Sequence, residues 1–394
     1  MLRYWVWLAE LGLSNPLQLA LLRHLGNPEN VYFADEEEIL LTEGITREQA
    51  ERLKNHDLGT ADRILAECRR LDQRILTIQD AAYPNRLRNI YDPPCVLYTK
   101  GRMPLIDEEA AIAVVGTRRC SPYGSACGER LGYGITREGG LVVSGLALGV
   151  DAAAGKGALR AGGPTVGVAG CGLDVCYPKE NRWLYDDIAA AGVLLSEYPP
   201  GTPPERRHFP VRNRILSGLS VATLVVEAPE SSGALITANM ALDQGRDVFA
   251  VPGPIDVPSS AGCNRLIRDG AAGLVTESWD VLREYAGRFP EKLWPEEAPR
   301  ELRRTEPEPP GPEPKAVPRA ESRPAPVPAG RRCKLTDDQK ALLALLSTEE
   351  PVQADDLIDR SGIPTRRVLS ALTVLEIDGW VRQHSGKRYT RIAD

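Results

Sequence analysis

Short apolar runs alternate with helical patterns between residues 111 and 276. Seven of these runs are rich in β-branched and small apolar residues, as is typical of strands buried on both faces of a sheet. The seven runs are Ala111–Val115, Leu141–Val143, Thr165–Ala169, Val193–Ser196, Ala222–Val226, Val248–Val251 and Leu274–Thr276. The segments between them have helical patterns and lengths that suit crossover connections. This alternation predicts an α/β fold with a doubly wound, mostly parallel sheet, larger than a minimal dinucleotide-binding unit.

Two further candidate strands, Arg74–Ile78 and Cys95–Tyr98, come before the seven runs and are joined by a segment rich in turn residues. We expect them to lead into the sheet or to extend its edge. Together with the seven runs they define a core domain over residues 71–288.

The first 70 residues have the pattern of several short helices. Leucines recur at near-helical spacing from Leu8 to Leu25, and Asp35–Leu41 and Thr46–Leu53 predict two further helices. The turns between them resemble those of helix-hairpin-helix and sterile-alpha-motif-like modules, which are often attached to DNA proteins. A packing or dimerisation module without nucleic-acid contact explains the pattern equally well. Residues 1–70 are therefore predicted only to be a small helical domain.

Residues 335–394 have the element order of a winged-helix domain, with three helices followed by two strands. The segments are Thr336–Leu346, Ala354–Asp359, Thr365–Ile377, Trp380–Gln383 and Arg388–Ile392. Such domains often read DNA with the third helix. Ten acidic residues against eight basic ones give this domain a net charge of −2. That charge favours protein contact or weak DNA contact.

Residues 289–334 separate the core from the winged-helix domain and have a different composition. Twelve of the 32 prolines in the chain lie between residues 290 and 330, mixed with Glu and Arg. A segment with so few aliphatic residues cannot bury enough surface to fold, so we predict a disordered, proline-rich linker.

The chain carries a formal net charge of −6, so any nucleic-acid site must be a local basic patch on an acidic body. The eight cysteines contain no Cys-x-x-Cys pair, which favours reduced, buried thiols over a zinc site. No apolar run approaches the ~20 residues that span a bilayer. Glu10 interrupts the apolar N-terminus, and no cleavage site follows. We therefore predict a soluble, cytoplasmic protein without a metal site or membrane contact.

The first two core strands both end in small polar loops. These loops are Gly116-Thr117-Arg118-Arg119 and Ser144-Gly145. Neighbouring parallel strands end at the same edge of a sheet, and open α/β sheets bind ligands at that edge. Because arginines bind phosphate oxygens through two parallel hydrogen bonds, the loops predict an anion site for phosphate.

Later loops add more basic and aromatic residues at the same edge. Lys179 follows the third core strand, and residues 205–214 contain four arginines against one glutamate, a local net charge of +3, with Phe209 among them. Aromatic rings and guanidinium planes stack on bases. A single strand of nucleic acid needs repeated phosphate contacts and tolerant base contacts, whereas a mononucleotide needs one closed pocket. The pattern therefore favours single-stranded nucleic acid.

Structural roles remain open for several of these residues. The alternatives are tight turns at Gly116 and Gly145, core contacts for Tyr177 and Phe209, ion pairs of Arg212 and Arg214 with Glu197 or Glu227, and a solvated Lys179.

The sequence gives little support for an enzyme. The four histidines lie in separate segments, and Gly-x-Ser-x-Gly, His-Glu-x-x-His and Walker A motifs are absent. Glu227 with Ser231 or Ser232 could serve in hydrolysis, but no general base for a serine lies nearby in sequence. We predict no catalytic residue and no cofactor, neither NAD nor ATP.

Seven sequence blocks follow one another between about residues 80 and 285. They are YPNRLRNIYDPPCVLYTKG, VVGTRR, SGLALGVDAAAGKGAL, GCGLDVCYPKENRWLYDDI, SEYPPGTPPERRHFPVRNRILSGLS, VVEAPESSGALITANMAL and VFAVPGPIDVPSSAGCNRLIRDGA. In this order they resemble the DNA-processing protein A family, also called DprA or Smf. The helical head and the winged-helix tail are similar to modules at the two ends of many family members.

The resemblance implies an extended Rossmann-like core that binds single-stranded DNA. It also implies a homodimer, and loading of the RecA recombinase onto DNA during natural transformation. The family's DNA-contacting positions correspond to Gly116, Thr117, Arg118, Ser144, Gly145, Lys179, Phe209, Pro210, Arg212, Asn213 and Arg214, with Asn181 beside Lys179.

Two positions depart from the family pattern. Leu148 stands where the family usually has an arginine, and Gly155 where it usually has a histidine. Loss of the base at 148 removes one phosphate contact, and Gly155 with Gly157 should loosen the helix that begins near Asp151.

The alternative function is a nucleotide-processing enzyme similar to the lysine-decarboxylase-like phosphoribohydrolases, which share a Rossmann-like sheet and a glycine-rich phosphate loop. The nearest equivalent of their Pro-Gly-Gly-x-Gly-Thr motif here is Ser231-Ser232-Gly233-Ala234, which lacks that pattern.

Overall fold

The structure is a computed structural model that describes residues 1–295, 336–348, 352–361, 363, 365–377, 380–384 and 388–392. The predicted linker lies outside these residues from 296 onward, as does the predicted turn at 385–387. The chain divides into two compact units, Met1–Glu308 and Pro309–Asp394. The domain boundaries at 70, 288 and 334 stay predictions.

A nine-stranded mixed sheet forms the centre of the first unit. Its strands are β1 (Arg74–Thr77), β2 (Val96–Gly101), β3 (Ala111–Val115), β4 (Leu141–Ser144), β5 (Thr165–Ala169), β6 (Val193–Ser196), β7 (Ala222–Val225), β8 (Asp247–Ala250) and β9 (Gly273–Leu274). Their order is β1-β2-β6-β5-β4-β3-β7-β8-β9. Strands β3 to β9 are parallel, while β1 and β2 form an antiparallel extension at the β6 edge. The predicted fold class, a mostly parallel α/β sheet, is confirmed.

Fourteen α-helices surround this sheet in the described part of the first unit. They are α1 (Leu2–Glu10), α2 (Asn15–Leu25), α3 (Pro28–Phe33), α4 (Glu36–Leu40), α5 (Arg47–Leu53), α6 (Gly59–Arg70), α7 (Asn85–Arg88), α8 (Pro122–Arg137), α9 (Val150–Arg160), α10 (Arg182–Ala191), α11 (His208–Leu219), α12 (Gly233–Asp243), α13 (Ala261–Arg268) and α14 (Trp279–Leu282). None of the described helices is long and apolar enough to cross a membrane.

Helices α1 to α6 form the predicted helical head, and local sequence signals set their ends. At the start of α5, Thr46 Oγ1 accepts a hydrogen bond from the Gln49 backbone N–H at 3.2 Å, and Gln49 Oε1 accepts one from the Thr46 N–H at 2.9 Å. This capping box satisfies two N–H groups that a helix end leaves free. Leu8, Leu21 and Leu53 are fully buried and belong to the same apolar cluster as Leu97 of β2, so the head packs onto the sheet.

The chain reverses direction across the sheet at β3. From β3 it proceeds through β4, β5 and β6 on one side and then returns to β7, β8 and β9 on the other. The loops after β3 and β7 consequently leave neighbouring strands in opposite directions. Such a switch point opens a crevice at the carboxyl ends of the strands, where α/β proteins bind ligands.

The second unit has the predicted winged-helix order in its described part. Its elements are α15 (Asp337–Leu345), β10 (Val352–Gln353), α16 (Ala354–Ser361), α17 (Thr365–Ile377), β11 (Val381–His384) and β12 (Arg388–Arg391). The strands pair in the order β10-β12-β11. The two-residue strand β10 was not predicted, because so short a segment carries no periodicity. Leu342, Leu357 and Leu372 form a separate core with no exposed surface.

Candidate nucleic-acid interface

The loop after β3 is held between β7 and the first turn of α9. The Thr117 N–H donates to the Glu227 carbonyl at 2.7 Å, and the Val150 N–H donates to the Thr117 carbonyl at 3.3 Å. A Cβ at Gly116 would lie 2.5 Å from Val150 Cγ2 and 2.9 Å from the Glu227 oxygen. A side chain there would overlap its neighbours, so the close packing requires glycine, and Gly116 thereby fixes the position of the arginines that follow.

Arg118 and Arg119 are exposed at the end of this loop. Within the part of the chain that the structure describes, neither guanidinium has a carboxylate within 4.0 Å. Arg118 Cζ lies 4.9 Å from the centroid of the Phe209 ring, a cation–π contact. The Phe209 ring in turn lies 5.5 Å from that of Tyr177, at an interplanar angle of 40°. Tyr177 is 40% exposed. Arg118, Phe209 and Tyr177 therefore present an aromatic surface next to an exposed positive charge.

The loop after β4 contains a buried polar network. The Arg212 guanidinium, 3% exposed, donates from Nη1 to the carbonyl of Gly145 at 2.6 Å and also to that of Val168. Asp151 Oδ2 accepts from the Gly145 N–H at 3.1 Å. Burial raises the pKa of Asp151, against the opposing effect of nearby Arg212, and burial lowers the pKa of Arg212. Arg212 therefore ties the ends of β4 and β5 together.

Three predicted site residues point away from open surface. Ser144 is 1% exposed, and its hydroxyl donates to the Val114 carbonyl at 3.1 Å. Asn181 is 3% exposed and donates to the carbonyls of Leu146 and Ala147, both at 3.0 Å. Both residues therefore position the loops.

Arg214 is the third of these residues, and it lies in a buried ion-pair network. Its Nη2 is 2.7 Å from Glu197 Oε1, and its Nε is 3.1 Å from Asp92 Oδ2. The structure therefore has the Arg214–Glu197 ion pair that the sequence analysis gives as an alternative to DNA contact. Both carboxylates hold the guanidinium as a cation, and the pKa of Arg214 is raised although burial opposes this.

A cleft of about 920 Å³ opens at the switch point. Eight predicted site residues line it: Gly116, Thr117, Arg118, Arg119, Phe209, Pro210, Arg212 and Asn213. Gly145 instead lines an adjoining pocket of about 50 Å³, with Leu148 and Pro178. Lys179 is exposed next to Pro178 and has no carboxylate within 4.0 Å among the described residues.

The cleft also contains residues that the sequence did not assign to the site. They are Ala147, Asp151, Tyr177, Arg206, Ser231, Ser232, Gly233, Ile236, Thr237 and Ser259, among others. The sequence signal for the serines was their place in a loop after the fifth core strand. Arg206 lies in the basic run and in a family block, but it is not among the positions that the resemblance assigns to DNA contact.

The charge of the cleft is positive. Arg118, Arg119 and Arg206 are exposed without carboxylate partners among residues 1–295, whereas Asp151 is 5% exposed and lies against Arg212. Glu227 does not line the cleft; its Oε2 accepts from the N–H and hydroxyl of Ser121 at 2.9 and 3.1 Å. No described group of three or more His, Cys, Asp or Glu residues could hold a metal ion. The arrangement suits phosphate groups and stacked bases.

The two departures from the family pattern have different surroundings. Leu148 is 38% exposed and adds an apolar wall to the small pocket beside Tyr177 and Phe209. Gly155 lies inside α9, where a Cβ would approach Leu184 Cδ1 at 3.0 Å. Helix α9 is continuous from Val150 to Arg160, and Gly157 packs against the backbone of α8. The two glycines therefore have packing contacts.

Two family models match the chain. The model described as DNA recombination-mediator protein A matches residues 74–286, and the DprA winged helix domain matches residues 319–387. Protein Smf of Synechocystis is 34% identical, over 98% of this chain and 98% of its own length. The DNA processing protein DprA of Bacillus subtilis is 43% identical, over 57% of this chain and 76% of its own.

Solved structures agree with these matches. The DNA processing protein A of Streptococcus pneumoniae has a TM-score of 0.64 and 38% identity, covering 72% of this chain and 98% of its own. The protein of the same name from Helicobacter pylori, whose structure describes a single-stranded DNA binding mode, has a TM-score of 0.50 and 30% identity. It covers 55% of this chain and 97% of its own.

Proposed function

The chain belongs to the DNA-processing protein A (DprA/Smf) family, and we propose that it binds single-stranded DNA in the cleft between the β3 and β7 loops. The observation that carries the proposal is the group formed by the rings of Phe209 and Tyr177 and the Arg118 guanidinium, which has no carboxylate partner among the described residues. A guanidinium binds one phosphate, and the rings stack on any base. The likeness to a relative described as binding single-stranded DNA supports the same ligand.

The positions of the residues define a path for the strand. Arg118, Arg119 and Arg206 line the cleft, and the exposed Lys179 follows Tyr177 and Pro178 in sequence, two residues that line the adjoining pocket. In this proposal, phosphates run from the cleft towards Lys179. Gly116, Ser144, Gly145, Asn181 and Arg212 hold the loops through their packing and backbone contacts. Arg214 acts through the ion pairs that fix α11.

In this proposal the protein acts without catalysis. It hands single-stranded DNA to the RecA recombinase in the cytoplasm, as a homodimer, during natural transformation. The RecA partner, the dimer and the pathway rest on the family resemblance. The position of Glu227, buried and bonded to Ser121 outside the cleft, supports a binding function over hydrolysis.

The test is a gel-shift titration of an oligonucleotide with the double variant Arg118→Ala and Lys179→Ala. Loss of two phosphate contacts should weaken binding by about 100-fold or more, at about 1.5–3 kcal/mol for each charged hydrogen bond. The control is Arg70→Ala with Arg63→Ala, which removes two exposed arginines from the head. An unchanged titration for the cleft variant would refute the placement. A parallel assay for ribose release from a nucleoside monophosphate tests the hydrolase alternative.

A further inference from the structure

The start of α12 lines the same cleft as Arg118. Ser231, Ser232 and Gly233 line the cleft at this point, together with Thr237 one turn further along the helix. We call these four residues the α12 wall. The Leu235 N–H donates to the Ser232 carbonyl at 3.1 Å, so the Gly233 N–H is the one in the first turn of α12 that has no partner among the described residues. The helix dipole favours an anion at this end. Ser232 Oγ accepts from the Ala234 N–H at 3.3 Å, and its own O–H can still donate.

Thr237 provides a second, independent observation. Thr237 is 1% exposed and lines the cleft, and its hydroxyl forms no hydrogen bond with any residue that the structure describes. The Thr237 hydroxyl oxygen is not among the fully enclosed side-chain atoms that lack a partner, so the small exposed part of this residue includes that oxygen. A hydroxyl aimed into a cleft from such a position is placed to bond a ligand.

The space in front of the α12 wall is open. A Cβ at the exposed Gly233 would meet no atom within 4 Å, so nothing covers the backbone at the first turn of α12. The cleft volume of about 920 Å³ spans from this wall to Arg118 and Phe209. Sites for a single small ligand range from about 300 to about 1,000 Å³. The cleft lies near the upper end of that range, so it is large for a site that holds one small ligand.

The charges around the α12 wall are mixed. Arg119 and Arg206 line the same cleft and are exposed. Glu230 is exposed in the loop just before Ser231, and its negative charge interacts with the positive charge of Arg268. A site built from hydroxyls and backbone N–H groups suits a phosphodiester, which carries one negative charge and four oxygens that accept hydrogen bonds.

We propose that the α12 wall is a second phosphate subsite, which binds a backbone phosphate of the same DNA strand whose neighbouring phosphate binds Arg118. This inference rests on the proposed single-stranded DNA function. The hydroxyl groups of Thr237 and Ser232 donate hydrogen bonds to the phosphate oxygens, and the helix N-terminus stabilises the negative charge of the phosphate. The strand thus crosses the cleft from the arginine side to the α12 side.

Two variants of the full-length protein test the subsite by fluorescence anisotropy with deoxythymidine oligonucleotides. Thr237→Val removes one hydroxyl at nearly constant shape, and Ser232→Asp adds a repelling charge while it keeps a good N-cap. We expect Thr237→Val to bind about 10-fold more weakly and Ser232→Asp at least as weakly. Thermal unfolding midpoints should stay unchanged, because Asp at the start of a helix also favours the helix dipole.

The length of the oligonucleotide gives a second readout. With a single nucleoside monophosphate, which reaches one subsite, the loss for Ser232→Asp should be small, and it should grow as further phosphates are added. The loss for Arg118→Ala should already be present with the shortest ligand. The matched control is Ser14→Asp, an equal charge change at the exposed N-cap serine of α2 in the head.

The outcomes separate the two proposals. If the wild-type protein binds oligonucleotides and Ser232→Asp and Thr237→Val bind as it does, the subsite is refuted and the function stands. If the wild-type protein does not bind single-stranded DNA, both proposals fail.

Discussion

Arg118 and Arg214 have the same side chain but opposite surroundings. Arg118 is exposed and stacks on Phe209, whereas the Arg214 side chain is 8% exposed between Glu197 and Asp92. Both arginines lie in sequence motifs of the same family, and the basic residues of these motifs predict phosphate contact for both. From the sequence, an ion pair with Glu197 is only an alternative for Arg214, and its second partner, Asp92, is 122 residues away in the chain.

Arg118→Ala should weaken oligonucleotide binding by about 10-fold, since one charged contact is worth about 1.5–3 kcal/mol. It should leave thermal unfolding unchanged, because the side chain has no ion-pair partner among the described residues. Anisotropy titration and a thermal melt on the same samples measure both effects. A lower melting temperature would show that Arg118 has a structural role instead.

Arg214→Ala should mainly destabilise the fold. Truncation leaves Glu197 and Asp92 without their cation, and breaking a buried pair costs about 3–5 kcal/mol. Urea unfolding of the two arginine variants compares this cost directly. If Arg214→Ala unfolds like the wild type and binds DNA weakly, then Arg214 contacts DNA after all.

At the scale of elements, sequence patterns predicted the strands well and the role of the helix glycines poorly. The buried strands are continuous apolar runs with clear ends, so β3 and β5 have their predicted bounds. Glycines in a helix are expected to weaken it. In α9, however, Gly157 allows close packing, since a Cβ there would lie 2.1 Å from the Glu129 carbonyl oxygen of α8. Such contacts between helices leave no local signal in one sequence.

Two alanine variants of α9 test this packing. Gly157→Ala should destabilise the protein by about 1–3 kcal/mol, because the new methyl overlaps the backbone of α8 and overpacking outweighs the gain in helix propensity. Gly155→Ala, which meets only the end of the Leu184 side chain, should change stability by no more than about 1 kcal/mol. Denaturant melts measure both. If both substitutions change the free energy of unfolding equally, then helix propensity rather than packing determines their effect.

At the scale of the whole molecule, an acidic chain carries a basic cleft in its described part. The net charge of −6 gives no sign of a DNA-binding protein, and only the family blocks and the local arginine runs located the site. The serines and Thr237 of the α12 wall were missed because neutral hydroxyls carry no charge signal. The topology brings them into the same cleft as Arg118 because β3 lies next to β7.

Deletion of residues 331–394 tests the role of the acidic C-terminal domain. We expect oligonucleotide affinity to change by less than about twofold, since a domain of net charge −2 adds little phosphate binding. Instead, the deletion should change either the capture of RecA, measured by pull-down, or the oligomeric state, measured by light scattering. A large loss of affinity would assign this domain to DNA binding.

The most direct test of single-stranded DNA binding in the cleft is an anisotropy titration at two salt concentrations with single-stranded and duplex oligonucleotides. Four cationic side chains, Arg118, Arg119, Arg206 and Lys179, predict a log–log salt slope of about −3, at about −0.7 for each phosphate neutralised. Affinity for the single strand should fall about 50-fold between about 50 and 200 mM salt and exceed that for the duplex throughout. Binding that is insensitive to salt, or equal for the two ligands, would contradict a cleft built for single-stranded DNA.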